Sequence, residues 1–256
     1  MKIREIFYDA AKYPFLGLKQ LLLLGLMILI ISIIIGNNID LDFYLETFGE
    51  APLLLILLAL TVIVAFFSII EAGYAFKVIE NSILGVEKPP KLNNIISMFK
   101  HGLNEIIIGI IYFSVPIIIV LIILDFAFTQ INLGLPTISD QTAILLVIFV
   151  IILGFIADIT FKVAIPHMAF KGGNFREAFR FFEIFRKIKQ IGLKKLLIGY
   201  FIVIIGVVVI GGPIIKEMIG SANIYGFFIA EEIIAPYLIM FASRFNALIY
   251  MESFKS

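Results

Sequence analysis

The chain contains no cysteine, which rules out disulfides, thiolate nucleophiles and zinc–thiolate sites. Histidine is almost as scarce, with His101 and His167 the only two. No H-E-x-x-H, G-x-S-x-G, G-x-x-x-x-G-K-[ST] or G-x-G-x-x-G pattern occurs. The usual signatures of metallohydrolases, serine hydrolases, nucleotide triphosphatases and dinucleotide enzymes are therefore missing. No enzymatic activity and no cofactor are expected. The N-terminus also lacks the pattern of a cleavable leader. Lys19 precedes an apolar run of about 17 residues, longer than a typical signal core, and no small-x-small site follows. The first apolar segment is expected to remain as an anchor.

Charge is sparse as well, at 15% of 256 residues, whereas 61% are hydrophobic. Mean hydropathy is +1.10. Soluble domains are about 45–50% apolar and rarely carry bilayer-length apolar runs. Six runs here are long enough: about 15–36, 51–76, 105–124, 141–165, 193–215 and 224–250. About 20 apolar residues in a helix cross the hydrocarbon core, and backbone in lipid must be bonded within its own segment. The expected fold is thus an all-α integral membrane protein with six transmembrane helices in one polytopic domain, 1–256.

A net charge of +1 hides an asymmetry. With the N-terminus placed in the cytoplasm, nineteen of the twenty Lys and Arg residues fall on the inner side, Lys216 being the exception. The outer connections hold Asp40, Asp42, Glu46, Glu50, Asp125 and Asp140. This Lys/Arg bias orients helices during insertion and predicts both termini in the cytoplasm of a cell-membrane protein. The basic residues follow topology rather than forming a basic domain, so no nucleic-acid partner is expected.

The inner connections carry amphipathic patterns at 2–13, 92–103 and 174–191. In the last, Phe175, Ala178, Phe179, Phe182, Phe185 and Ile188 recur at helical spacing, with Asn174 and Glu177 placed as a capping box. Phe175, Phe179 and Phe182, with Arg176, Arg180 and Arg186, are candidates for contact with lipid headgroups. Each amphipathic stretch leads into a related phrase: GLKQLLLLG from Gly17, GLNEIIIG from Gly102 and GLKKLLIG from Gly192. In each, glycine is expected to form a corner between a surface-lying helix and a span. Lys77 and Lys162 each follow the phrase glycine by 60 residues, and Arg244 follows Gly192 by 52. Three repeats result, about 1–85, 86–172 and 173–256.

Ionisable residues at membrane depth are costly and mark candidate sites. Glu71, Asp158, Glu231 and Glu232 lie in inbound spans that carry Lys77, Lys162 and Arg244 toward their inner ends. Asp158 and Lys162 are four apart and can pair along one helix. Glu71 and Lys77 need partners elsewhere. The candidate polar-cavity set is Glu71, Lys77, Asp158, Lys162, Arg244 and Asn246. No metal site is assigned. His101 and His167, with Asp158 or Glu105 as the nearest acids, are read as interfacial residues.

Three stretches then carry a resemblance: EAGYAFKVIENSILGVEKPPKLNNIISMFKHGLNEIIIGIIY (71–112), FREAFRFFEIFRKIKQIGLKKLLIGY (175–200) and YLIMFASRFNALIY (237–250). With AAKYPF at 10–15, they resemble the archaeal multi-pass family known as domain of unknown function 4013. That family is loosely similar to membrane domains accompanying glycerophosphodiester phosphodiesterases. The resemblance implies this architecture and hints at lipid handling, without catalytic residues. Membrane lipids are the expected partners. Two functions stay open: binding or transport of a lipid or other amphiphile, and scaffolding in which the cytoplasmic helices organise lipids or dock a membrane or cytoplasmic protein.

Overall fold

A computed structural model describes residues 2–36, 50–132, 139–205 and 224–254. These residues are helical with short turns, and no strand occurs among them. The first helix, α1 (Ile3–Lys12), leads through a 3₁₀ turn (Tyr13–Gly17) into α2 (Leu18–Gly36). Two long helices follow, α3 (Glu50–Ile83) and α4 (Ile95–Asn132), then α5 (Asp140–Phe170). A second 3₁₀ turn (Phe175–Phe179) precedes α6 (Phe181–Ile191) and α7 (Leu193–Ile204). The C-terminal region comprises α8 (Ile224–Ile229), a π turn (Ala230–Ile234), α9 (Ala235–Met251) and a 3₁₀ turn (Glu252–Phe254).

Five helical stretches are long and apolar enough to cross a membrane: Ile3–Ile35, Pro52–Ile83, Ile95–Thr129, Gln141–Phe170 and Tyr225–Phe254. The sixth predicted span, 193–215, is described only as far as Ile205, and Lys216, Gly206, Gly211, Gly212 and Pro213 lie outside the described residues. So do Asp40, Asp42 and Glu46 of the predicted outer connections. Within the protein the apolar windows of α3, α4 and α5 are only 11%, 11% and 6% buried. Surfaces such as Leu54, Leu55 and Leu58, or Leu145 and Ile151, are exposed among the described residues. Lipid is the solvent in which such faces are stable, and the chain is read as a membrane protein.

Packing concentrates at one end of the bundle. One core joins Ile6, Phe76, Ile108, Ile165, Met168, Ile184, Phe245 and Tyr250; a second joins Tyr13, Leu24, Tyr74, Val78, Met98 and Met240. The long helices meet there through close backbone contacts. At Gly73 a Cβ would strike the Met98 carbonyl, and at Gly102 it would strike the Ile69 carbonyl, so α3 and α4 cross at two reciprocal glycines.

That crossing corrects the expected corner at Gly102. The amphipathic stretch 92–103 does not lie apart from its span, because α4 is continuous from Ile95 to Asn132 and Gly102 sits inside it. Gly17 ends the 3₁₀ turn and lies against the Pro89 ring, where a Cβ would come within 2.9 Å. Only Gly192 turns a corner: its φ of +87° breaks the backbone between α6 and α7. Three similar phrases therefore serve three different purposes.

The segment 174–191 is also broken rather than continuous. Asn174 Oδ1 accepts from the Arg176 amide, as expected of a cap, but the turn it starts is 3₁₀ and stops at Phe179. Arg180 has ψ +68° and lies outside helical geometry. The helix restarts at Phe181 in a new register, burying Ile184, Lys187, Ile188 and Ile191 and leaving Phe182 94% exposed.

Candidate functional site

Pro166 lies inside α5 and has no amide to donate, so the Lys162 carbonyl one turn earlier loses its helical partner. Asn246, on α9, replaces it by donating from Nδ2 to that carbonyl at 2.9 Å. A neighbouring helix is one source of a donor for a backbone group freed by proline, and this bond ties α9 to α5 at this level. The same residue brings the Lys162 side chain to a cavity. Lys162 Nζ pairs with Asp158 at 2.8 Å, the expected i,i+4 contact, and lies 4.1 Å above the centre of the Tyr200 ring on α7.

The cavity, about 190 Å³, is bounded by α3, α4, α5, α7 and α9. Lys162, Tyr200, Asn246, Ser243 and Glu105 are its polar walls, and Ile79, Leu196, Val203, Phe245 and Ile249 are among its apolar ones. Glu105 Oε2 is buried without a hydrogen-bond partner. The arrangement is a mostly apolar chamber with a cation, a phenol, an amide and a carboxyl on its walls. It has the chemistry of a binding site for a molecule with both polar and hydrocarbon parts.

Of the six predicted cavity residues, Lys162 and Asn246 line this chamber and Asp158 holds Lys162. The other three do not join them. Lys77 pairs with Glu80 at 2.6 Å on its own helix, and the lysine is about one-fifth exposed. Arg244 is 5% exposed and has a structural cradle: Nε donates to Asp9 at 2.8 Å, NH1 donates to the Val86 carbonyl at 3.0 Å, and the guanidinium covers the Tyr13 ring. It pins α1 and the loop after α3 onto α9. Glu71 is half-buried on α3 and faces Glu231 of the π turn. The three spacing-matched bases thus serve three separate neighbourhoods.

The predicted lipid-contact residues divide in a similar way. Arg176, Arg180 and Arg186 are exposed, as is Phe182, while Phe175 and Phe179 pack at the margin of the core. Glu177, expected at a helix cap, instead turns inward and is 7% exposed. It meets His167, which is 1% exposed, and Glu183 of α6. Arg180 donates to Glu183 at 3.0 Å, which holds that carboxyl below the usual carboxylate range. Lys187 lies over the Phe254 ring at 3.4 Å, and burial lowers its pKa, with Arg186 and Lys171 adding to the effect. His101 stays apart from this group, stacked on Phe76 with ring centres 4.5 Å apart. The acids near His167 are thus Glu177 and Glu183, rather than Asp158 or Glu105.

Glu105 and Tyr200 as cavity walls, and the His167–Glu177–Glu183 cluster, were not singled out from the sequence as groups. Pro166 is the available signal for the first region, since a mid-span proline frees a carbonyl that a neighbouring helix can satisfy. No local spacing signals the second, because Glu177 fits the pattern of a cap.

Comparison with known proteins gives one result. A family model described as a protein of unknown function (DUF4013) matches residues 54–243. No curated protein and no solved structure matches.

Proposed function

The chain belongs to the DUF4013 family of unknown function, and from that premise we propose that it binds or moves a lipid or other amphiphile through the Lys162 cavity. The observation carrying this reading is the chamber itself, in which a lysine ammonium and an amide face walls of Ile, Leu, Val and Phe. An anionic or polar headgroup meets Lys162 and Asn246, and the adjoining hydrocarbon meets Leu196, Val203 and Ile249. A volume of about 190 Å³ suits a headgroup or a short length of chain rather than a whole lipid. The rest of the ligand would extend from the chamber along an apolar helix face.

The proposed frame is six spans in three repeats, with both termini in the cytoplasm of the cell membrane. The Lys/Arg distribution supports the orientation, and the repeats rest on the recurrence of the glycine phrases in the sequence rather than on a shared structural role. Native mass spectrometry of full-length protein purified without added lipid tests the binding claim. The expected result is a retained lipid of defined mass, lost on Ala242→Trp, which fills the chamber, and weakened on Lys162→Gln. No retained lipid, or retention unchanged in both variants, would overturn the proposal.

A second reading, membrane scaffolding, draws on a different surface. Phe181, Phe182 and Phe185 on α6 are exposed beside Arg186 and form an apolar, basic edge. Such an edge suits the headgroup layer or a docked protein.

A further inference from the structure

The group formed by His167, Glu177 and Glu183, the first two buried and the third partly exposed, is independent of the cavity and comes from three consecutive elements: α5, the second 3₁₀ turn and α6. Each contributes one donor atom, and the donors lie within 4.8 Å of one another. His167 Nε2 stands 3.4 Å from Glu183 Oε2 and 3.9 Å from Glu177 Oε2. Neither separation is a good hydrogen bond. Two ligands bound to one tetrahedral ion by bonds of about 2.1 Å would lie about 3.4 Å apart. His167 Nε2 and Glu177 Oε2 are both buried with no hydrogen-bond partner.

The surroundings orient these atoms inward. Tyr250 shares a hydrogen bond with His167 Nδ1 at 2.9 Å, which fixes the ring and leaves Nε2 facing the carboxylates. Arg180 approaches the outer oxygens, NH2 at 3.3 Å from Glu177 Oε1 and NH1 at 3.0 Å from Glu183 Oε1. Both Oε2 atoms are left facing the histidine. Lys171 reaches only to 4.0 Å from Glu183 Oε2, so its ammonium does not fill the gap. Lys187 is turned over the Phe254 ring instead. A histidine and two carboxylates, with their other atoms held by a tyrosine and an arginine, form a ligand set with its supporting shell.

We propose that His167 Nε2, Glu177 Oε2 and Glu183 Oε2 bind a divalent transition-metal cation such as Zn²⁺ or Mn²⁺. Three protein ligands leave a coordination position open to water or an anion. The ion would clamp the broken 3₁₀ turn and α6 onto the end of α5. The break at Arg180 then has a purpose, because a continuous helix over 174–191 would place Glu177 and Glu183 about 1.7 turns apart and on different faces.

The test is equilibrium dialysis of tag-free, full-length protein in detergent against Zn²⁺ and, separately, Mn²⁺, with bound metal counted by mass spectrometry and melting temperature followed in parallel. The expected result is about one ion per chain, with a higher melting temperature in its presence. Glu183→Gln and Glu177→Gln should each weaken binding by at least about tenfold and abolish the metal-dependent rise in melting temperature. His167→Gln is a third variant; the milder Glu183→Gln, at a half-exposed position, carries the test if the histidine variant does not fold. Substoichiometric metal in wild type, or wild-type binding in both glutamate variants, would overturn the site and leave the group a partly exposed ion-pair network.

Discussion

Replacing Asn246 with leucine removes the donor to the Lys162 carbonyl while keeping side-chain size. The carbonyl is then left without either its helical partner, which Pro166 cannot supply, or its replacement. Leaving a buried acceptor unsatisfied costs about 1–3 kcal/mol; this one is part-buried, so Asn246→Leu should lower the unfolding free energy in detergent by an amount toward the lower end of that range. Pro166→Ala restores the amide one turn along α5 and gives the carbonyl a second source of a hydrogen bond. In that background Asn246→Leu should cost less than about 0.5–1.5 kcal/mol, the net worth of one redundant bond. The coupling measured in the four-member cycle should therefore be about 0.5–1.5 kcal/mol, above the few tenths expected of independent sites. Denaturant titration in mixed micelles, followed by circular dichroism, measures it. If Asn246→Leu costs the same with and without Pro166, the reasoning that links proline, carbonyl and asparagine is refuted.

Other consequences are equally direct. Gly102→Ala places a methyl against the Ile69 carbonyl in backbone contact, so overpacking should cost at least about 1–3 kcal/mol and separate α3 from α4 in cross-linking; an unchanged melting temperature would contradict the crossing. Arg244→Met should detach α1 more than it unfolds the bundle, raising amide exchange over residues 3–12; unchanged exchange there would show that the Asp9 contact contributes nothing. Because the chain has no tryptophan, Phe182→Trp introduces a sole tryptophan on α6, which can be excited selectively over the nine tyrosines. Its emission should be blue-shifted and quenched by lipids spin-labelled near the headgroup, whereas water-like emission without quenching would remove α6 from the interface.

The apolar runs made the helices legible, since a segment that must satisfy its own backbone in lipid has few alternatives. Local pairing was legible too: Asp158 and Lys162 meet as their spacing requires. Arg244 was not, because its carboxylate partner Asp9 lies 235 residues away and no periodicity links them. The glycine phrases show the opposite difficulty. Gly17, Gly102 and Gly192 look alike in sequence, yet one meets a proline ring, one a carbonyl and one turns the chain. Glycine records the absence of a side chain, and the reason for that absence lies in the neighbouring element. In the segment 174–191 the hydrophobic spacing was correct in kind and wrong in continuity, because the inward turn of Glu177 toward His167 comes with a break at Arg180 that helical spacing does not encode.

The central claim is that an amphiphile enters the chamber beside Lys162. Photo-cross-linking with a diazirine-bearing anionic phospholipid in reconstituted membranes, mapped by peptide mass spectrometry, tests it most directly. The account predicts label within the segments 196–203 and 242–249, which supply chamber walls such as Tyr200, Val203, Ser243 and Asn246, and its loss on Ala242→Trp. Label confined to the outer faces of α3 and α5, with none on the chamber walls, would contradict it.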